Sequence, residues 1–193
     1  MARVAESRRT TRETDIEIRL DLDGSGQTAV STGLPFFDHM LEQLGRHGGF
    51  DLELRAKGDL EVDAHHTVED VGLALGAAMA EAWGDKAGVR RFASALLPLD
   101  EALVQVALDL SGRPFLVYEV DVVPERIGTF DPQLAEEFWR ALVTTSGITL
   151  HVRTLTGRNG HHVLEASFKG VARCLRDALR VEGSGIPSTK GKL

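Results

Sequence analysis

Two short stretches of the chain carry the same polar cluster. One reads EVDAHHTVEDVGLALG and holds His65, His66 and Glu69; the other reads GRNGHHVLEASFKG and holds His161, His162 and Glu165. Histidine and carboxylate together are ligands for borderline divalent metals such as zinc, manganese and iron. On a helix, residues four apart share a face, so His65 with Glu69, and His161 with Glu165, can each grip one ion. Adjacent helical residues diverge by about 100°. His66 and His162 therefore turn away from the ion their neighbours hold, and an HHxxE unit suits two separate metals better than one. A lone histidine pair at a helix start is also what ordinary surface looks like. Surface decoration gives no reason for the pair to recur at the matching point of a duplicated chain, and the recurrence favours metal binding.

The duplication is visible in the elements that must position these residues. TDIEIRLDLDGSGQ alternates Ile16, Ile18, Leu20 and Leu22 ahead of a Gly-Ser-Gly turn, which predicts a half-buried strand entering a hairpin, with TAVST returning. LPFFDHMLEQLGRHGG predicts a helix with Pro35 near its start and Gly48-Gly49 after its end. FDLELRA reads as a strand, and HHTVEDVGLALGAAMAEAWGD as a helix with Val68, Val71, Leu75 and Met79 inward. The second half repeats this order: EALVQVALDL, a turn at SGRP, FLVYEVDV, a helix in DPQLAEEFWRALVTTSG with Pro132 in its first turn, ITLHVRTL, then HHVLEASFKGVARCLRDALR. Both halves read strand-strand-helix-strand-helix, over about 12–90 and 100–182. The expectation is an α+β fold, one domain of two pseudo-symmetric halves, each with helices on one face of its sheet. The Gly/Ser/Pro-rich tail, 183–193, is expected to be mobile unless bound.

Aligning Gly49 with Gly147 nominates further ligands. His39, in FFDHMLEQL, falls opposite Glu137 of AEEFWRAL, and a carboxylate can replace an imidazole around a metal. His151 falls in a strand opposite Glu53 and reads as structural. His47, eight residues after His39, faces roughly the same way and suits either a substrate contact or a cation closing the helix.

Composition narrows the classes of function. With 193 residues, 42% hydrophobic and 26% charged, the chain can bury a core. Its net charge of -7, without an aromatic-basic stripe, weighs against nucleic acid and against an acidic membrane surface. A small anion needs only a few local cations. The single cysteine, Cys174, sits at an apolar helical position and reads as a buried structural thiol. No apolar run has membrane-spanning length and MARVAESRRTTRETD lacks a signal peptide's apolar core, so the expected location is the cytoplasm.

Taken together, LPFFDHMLEQLGRHG, DAHHTVEDVGLALG, DLSGRP, GRNGHHVLEASFKGVARCLRDA and GIPSTKGKL resemble the imidazoleglycerol-phosphate dehydratases, in their monofunctional form, from about Arg12 to the C-terminus. The resemblance implies dehydration of D-erythro-imidazoleglycerol phosphate to imidazole-acetol phosphate in histidine biosynthesis. It implies a ribosomal-protein S5 domain 2-like fold, two manganese ions (Mn2+) per active centre and homo-oligomers of 24 subunits. It places the metal ligands at His39, His65, His66, Glu69, His161, His162 and Glu165, with the eighth at Glu137, where many relatives carry histidine.

The chemistry asks for such groups. A proton must leave a barely acidic carbon, so negative charge must spread into the imidazole ring. Two divalent metals, one near each ring nitrogen, could stabilise an imidazolate or diazafulvene-like intermediate. A base and a proton donor are also needed. The resemblance puts Glu13, Glu165, His66 and His162 in the catalytic set, with Glu13 also touching substrate. For the phosphate end it raises Gln43, Arg91, Arg113, Lys169, Ser188 and Lys190 above solvated surface residues, with His47 counted as a further substrate contact. Because adjacent histidines diverge, ligands from neighbouring chains are expected to complete each site. A metal-storage protein would explain the HHxxE pairs equally well, but not Lys169, the SGRP arginine or the PSTKG tail. Another metal-dependent lyase or hydrolase on this fold is the closer rival.

Overall fold

The computed structural model describes residues 3–121, 126–191 and 193. Within them the order is β1 (Val4–Thr10), β2 (Thr14–Asp21), β3 (Thr28–Ser31), α1 (Pro35–Gly48), β4 (Asp51–Gly58), α2 (His65–Trp83), β5 (Phe92–Leu99), β6 (Ala102–Asp109), β7 (Phe115–Glu119), α3 (Leu134–Ser146), β8 (Thr149–Thr156) and α4 (Gly160–Ala178). Val122, the last residue of the strand expected at FLVYEVDV, and Lys192 of the tail lie outside the described residues.

The α+β class and the duplication hold, and two features differ from the sequence reading. Each half opens with an additional strand, β1 or β5, ahead of the expected starts at 12 and 100. Both are edge strands. Only Ala5 of β1 is buried, and β5 alternates half-buried with exposed residues, so neither carries a strong apolar alternation. The second difference is the pairing. β2 does not form a hairpin with β3, nor β6 with β7. The sheets run β1-β2-β4-β3 and β5-β6-β8-β7. β2 is antiparallel to both β1 and β4, which uses both its edges; β3 then takes the free edge of β4 in parallel. Helix α1 is the crossover that a parallel pair requires. The second half repeats this with β6, β7, α3 and β8.

Each sheet carries its two helices on one face, and the helix layers meet, α1 on α4 and α2 on α3. The four helices therefore lie between the two sheets. One apolar core spans both halves. Phe37 of α1 meets Phe138 of α3 edge-on at 5.3 Å, and Phe138 stacks on Phe168 of α4 at 5.5 Å. The α2–α3 seam closes through glycine. A Cβ on Gly72 would lie 2.6 Å from the Phe138 carbonyl, and one on Gly76 2.4 Å from the Leu142 carbonyl. The outer faces of the sheets differ. The first carries Arg55 beside Glu6, Arg8, Glu17, Arg19 and Glu53, and ion pairs join Arg8 to Glu17 and Arg19 to Glu6 and Glu53. The second exposes Phe92, Leu96, Phe115 and Leu155.

The C-terminal tail is fastened at its base. The amides of Glu182 and Gly183 donate to the Gly88 carbonyl, and the Gly88 amide donates to the Gly185 carbonyl.

Candidate metal centre and anion groove

Both histidine pairs are set at a helix start by the same device. Asp63 and Asn159 occupy matching positions. The Asp63 carboxylate accepts the His65 amide at 2.8 Å, and the Asn159 side chain accepts the His161 amide at 3.0 Å. This satisfies a helix-end donor and fixes where each pair falls on its first turn. The rings then diverge: His65 and His66 are 6.3 Å apart at 87°, His161 and His162 6.2 Å apart at 83°.

The structure brings His39 of α1 together with His161 and Glu165 of α4. Their donor atoms all lie within 4.8 Å of one another, and among the described residues they form the only such trio. Glu165 Oε2 sits 2.9 Å from His161 Nε2 and 3.4 Å from His39 Nε2. Its other oxygen pairs with Lys169 at 2.5 Å. Burial pushes the Glu165 carboxyl up, but Lys169, His161 and His39 outweigh burial and hold it below its usual range. The row continues along α1. His47 Nε2 lies 3.1 Å from Gln43 Oε1, and Gln43 Nε2 lies 3.3 Å from His39 Nδ1. Burial, with Lys169 and Arg173 nearby, holds His47 below its usual pKa. Two imidazoles and a carboxylate, partly open to solvent, fit a borderline divalent ion that keeps positions for further ligands.

The pseudo-symmetric set is His65 and Glu69 of α2 with Glu137 of α3. These helices pack together, yet the three do not form a trio of that closeness. The second histidine of each pair is engaged elsewhere. His66 Nδ1 lies 3.0 Å from Asp59 Oδ2 and 3.9 Å from Glu13. His162 Nδ1 lies 2.8 Å from Glu101 Oε2. Asp59 raises the His66 pKa through its hydrogen bond, and Glu101 does the same for His162. Glu101 itself is drawn down to about 2 by His162 and the amides of Asn159 and Arg158. Asp59 and Glu101 were not among the sequence candidates. Glu101 precedes β6 as Glu13 precedes β2, so the repeat contained the signal. Recognising it required the leading strands that end just before each of these turns.

The substrate-binding candidates other than Glu13 divide between two places. Gln43, His47 and Lys169 adjoin the trio. Arg91, Arg113, Ser188 and Lys190 instead line one open groove with Ser111 and Gly112, and no member of the trio reaches it. Arg91 has other duties there. It forms a two-point ion pair with Asp109 and donates to the Pro187 carbonyl at 2.7 Å, which fastens the tail beside the SGRP turn. Cys174 is buried, with its thiol pushed up to about 12 by desolvation, as a structural cysteine should be. His151 contacts Phe115 within the second sheet.

Comparison with known proteins points to a single family. The family model described as Imidazoleglycerol-phosphate dehydratase matches residues 32–175, which include both HHxxE units. The imidazoleglycerol-phosphate dehydratase of Acidothermus cellulolyticus is 56% identical over 192 residues, covering 99% of this chain and 93% of that protein. That of a Parafrankia species is 55% identical over 195 residues, covering all of both chains. The crystal structure of the Staphylococcus aureus enzyme superimposes with a TM-score of 0.84 at 35% identity, over 92% of this chain and 99% of that one. On these grounds the chain belongs to the imidazoleglycerol-phosphate dehydratase family.

Proposed function

We propose that the chain dehydrates D-erythro-imidazoleglycerol phosphate to imidazole-acetol phosphate and water, as a carbon–oxygen lyase of histidine biosynthesis, using two manganese ions per active centre. The observation that carries this reading is the trio of His39, His161 and Glu165 with Lys169 against its carboxylate. A metal-storage site has no use for a lysine there. Bound divalent metal supplies Lewis-acid stabilisation of negative charge on the substrate's imidazole. The remaining work falls to the protein. Lys169 keeps Glu165 ionised and so able to accept a proton. Glu13, half-exposed beside His66, is the second acid/base group. Gln43 orients His39. Arg113, Ser188 and Lys190 offer donors for a phosphate, and Arg91 holds the tail that carries two of them.

His66 and His162 turn away from their own chain's trio, which supports sites completed between chains. The anion groove lies apart from the trio, which supports the same reading. The apolar outer face of the second sheet, with Phe92, Leu96, Phe115 and Leu155, offers a contact surface for another copy. We take the assembly to be 24 subunits, with His65, Glu69 and Glu137 contributing the second half of the ligand set. No helix among the described residues is long and apolar enough to cross a membrane, in keeping with a cytoplasmic enzyme. The test is turnover of imidazoleglycerol phosphate by chelated protein with Mn2+ restored. Activity should return with the metal; a folded particle inactive with every divalent metal sinks the reading. Light scattering with and without chelator tests the assembly. A metal-free chain that stays in the large particle would separate assembly from metal.

A further inference from the structure

The two histidines that turn away from the trio are both held by carboxylates, and the two carboxylates are built differently. Glu101 is fully committed. Its Oε1 accepts the amides of Asn159 at 2.8 Å and Arg158 at 3.2 Å, while Oε2 meets His162 Nδ1 at 2.8 Å. Asp59 uses one oxygen only. Oδ2 meets His66 Nδ1 at 3.0 Å, and Oδ1 is buried without a partner among the described residues. A carboxylate only accepts, so each neutral histidine must carry its proton on Nδ1. That leaves the lone pair on Nε2, the form in which an imidazole can bind metal through that nitrogen. The nearest carboxylate to His162 Nε2 is Asp100 at 3.8 Å, beyond hydrogen-bond reach.

We propose that Glu101 and Asp59 are positioning residues that hold His162 and His66 with Nε2 free to ligate, and that Glu101 also ties this choice to the loop before α4. The metal half of the statement rests on the function proposed above; the tautomer half does not. The different construction gives the two sites opposite responses to the same chemical change. In Glu101→Gln one oxygen becomes an amide NH2. The Asn159 and Arg158 amides are obligate donors, so the remaining oxygen stays with them and the NH2 faces His162. His162 can then only accept at Nδ1, and its proton moves to Nε2. In Asp59→Asn no second set of donors competes. The amide is free to turn its oxygen to His66, which lets Nδ1 keep its proton.

Solid-state 15N NMR of the histidine-labelled, metal-free full chain at alkaline pH reads the tautomers whatever the particle size. Signals are assigned by His66→Ala and His162→Ala. The parent should show both histidines protonated on Nδ1. Glu101→Gln should convert His162 to the Nε2–H form and weaken Mn2+ binding, measured by competition with a chelator, by about ten- to a hundredfold. Asp59→Asn should leave His66 in the parent's tautomer. A purely structural role for Glu101 would not move the His162 proton. A parent His162 protonated on Nε2, or one unmoved in Glu101→Gln, overturns the proposal. A parent with the expected tautomers that takes up no Mn2+ leaves the positioning intact and sinks the metal reading instead.

Discussion

The α1–α4 seam and the α2–α3 seam are the two copies of one arrangement, and they have been put to different use. Along the first, His39, Gln43 and His47 of α1 face His161, Glu165 and Lys169 of α4. In the repeat alignment the second seam reads Glu137, Ala141 and Thr145 against His65, Glu69 and Leu73. The proposed ligand positions persist while the row behind them loses most of its polarity. Packing shows the same divergence. Gly72 and Gly76 let α3 approach the α2 backbone, whereas α4 carries Phe168 and Ala172 at those points. On the proposed reading, duplication kept histidine and carboxylate positions in both seams but, among the described residues, closed them into a trio only in the first, and left that seam free to acquire acid/base and binding groups, the other to tighten. Catalysis should therefore be sensitive to the first seam and stability to the second.

Glu165→Gln against Glu69→Gln is the strongest way to break this comparison. Both remove a carboxylate ligand, but only Glu165 also moves a proton in the proposed mechanism. With Mn2+ saturating, kcat should fall about 10²–10⁴-fold further in Glu165→Gln than in Glu69→Gln. Equal losses would mean that the seams are catalytically equivalent.

Lys169→Ala should come next. It should lower kcat/KM by about 1.5–3 kcal/mol, the worth of a charged hydrogen bond, with bound manganese unchanged. It should also move the acid limb of the pH–rate profile. Lys169 counters the burial that pushes the metal-free Glu165 carboxyl up, so without it protons compete with Mn2+ for that carboxylate at higher pH on acidification and the acid limb shifts upward. Leu73→Ala, at the matching position, should leave that limb in place.

On the stability side, Gly76→Ala places a Cβ 2.2 Å from Thr145 Oγ1 and 2.4 Å from the Leu142 carbonyl. Such overpacking costs about 1–3 kcal/mol in denaturant unfolding. The reverse change on the other seam, Ala172→Gly, should cost about 1 kcal/mol, mainly helix propensity. A larger loss at Ala172 would remove the contrast in packing.

How much of this was legible follows from where the signal resides. His65 with Glu69 and His161 with Glu165 could be read because helical spacing alone puts them on one face. The match of His39 with Glu137 needed only the two glycines that end α1 and α3. Pairing could not be read. Ile16, Ile18 and Leu20 show that β2 has a buried face, but nothing in them says that both its edges are occupied. β1 and β5 escaped because an edge strand with little buried surface has no strong alternation to show. Asp59 escaped because it meets His66 across a loop, where spacing carries no information about distance; Glu101 was legible only through its match to Glu13 in the repeat.

The smallest expected effect concerns the loops that open into β3 and β7. In the first half Asp51 Oδ1 accepts the amides of Ser25 at 2.8 Å and Gln27 at 2.9 Å. In the second, Thr149 stands at the matching position; its hydroxyl donates to the Arg113 carbonyl at 3.1 Å and meets Ser111 Oγ at 3.0 Å. The Gln27 and Ser25 amides hold the Asp51 carboxyl below its usual range. A depressed folded-state pKa contributes stability above the unfolded value of about 3.9 and loses it as pH falls through the folded value. The Tm difference between the parent and Asp51→Ala should therefore stay level from neutral pH to about pH 4 and then close on acidification. Thr149 does not titrate, so the difference between the parent and Thr149→Ala should persist through the same range. Calorimetry on both pairs decides it: a Thr149 gap that closes alongside the Asp51 gap would mean that acid loosens the two loops by a shared route, and the halves would not be electrostatically distinct there.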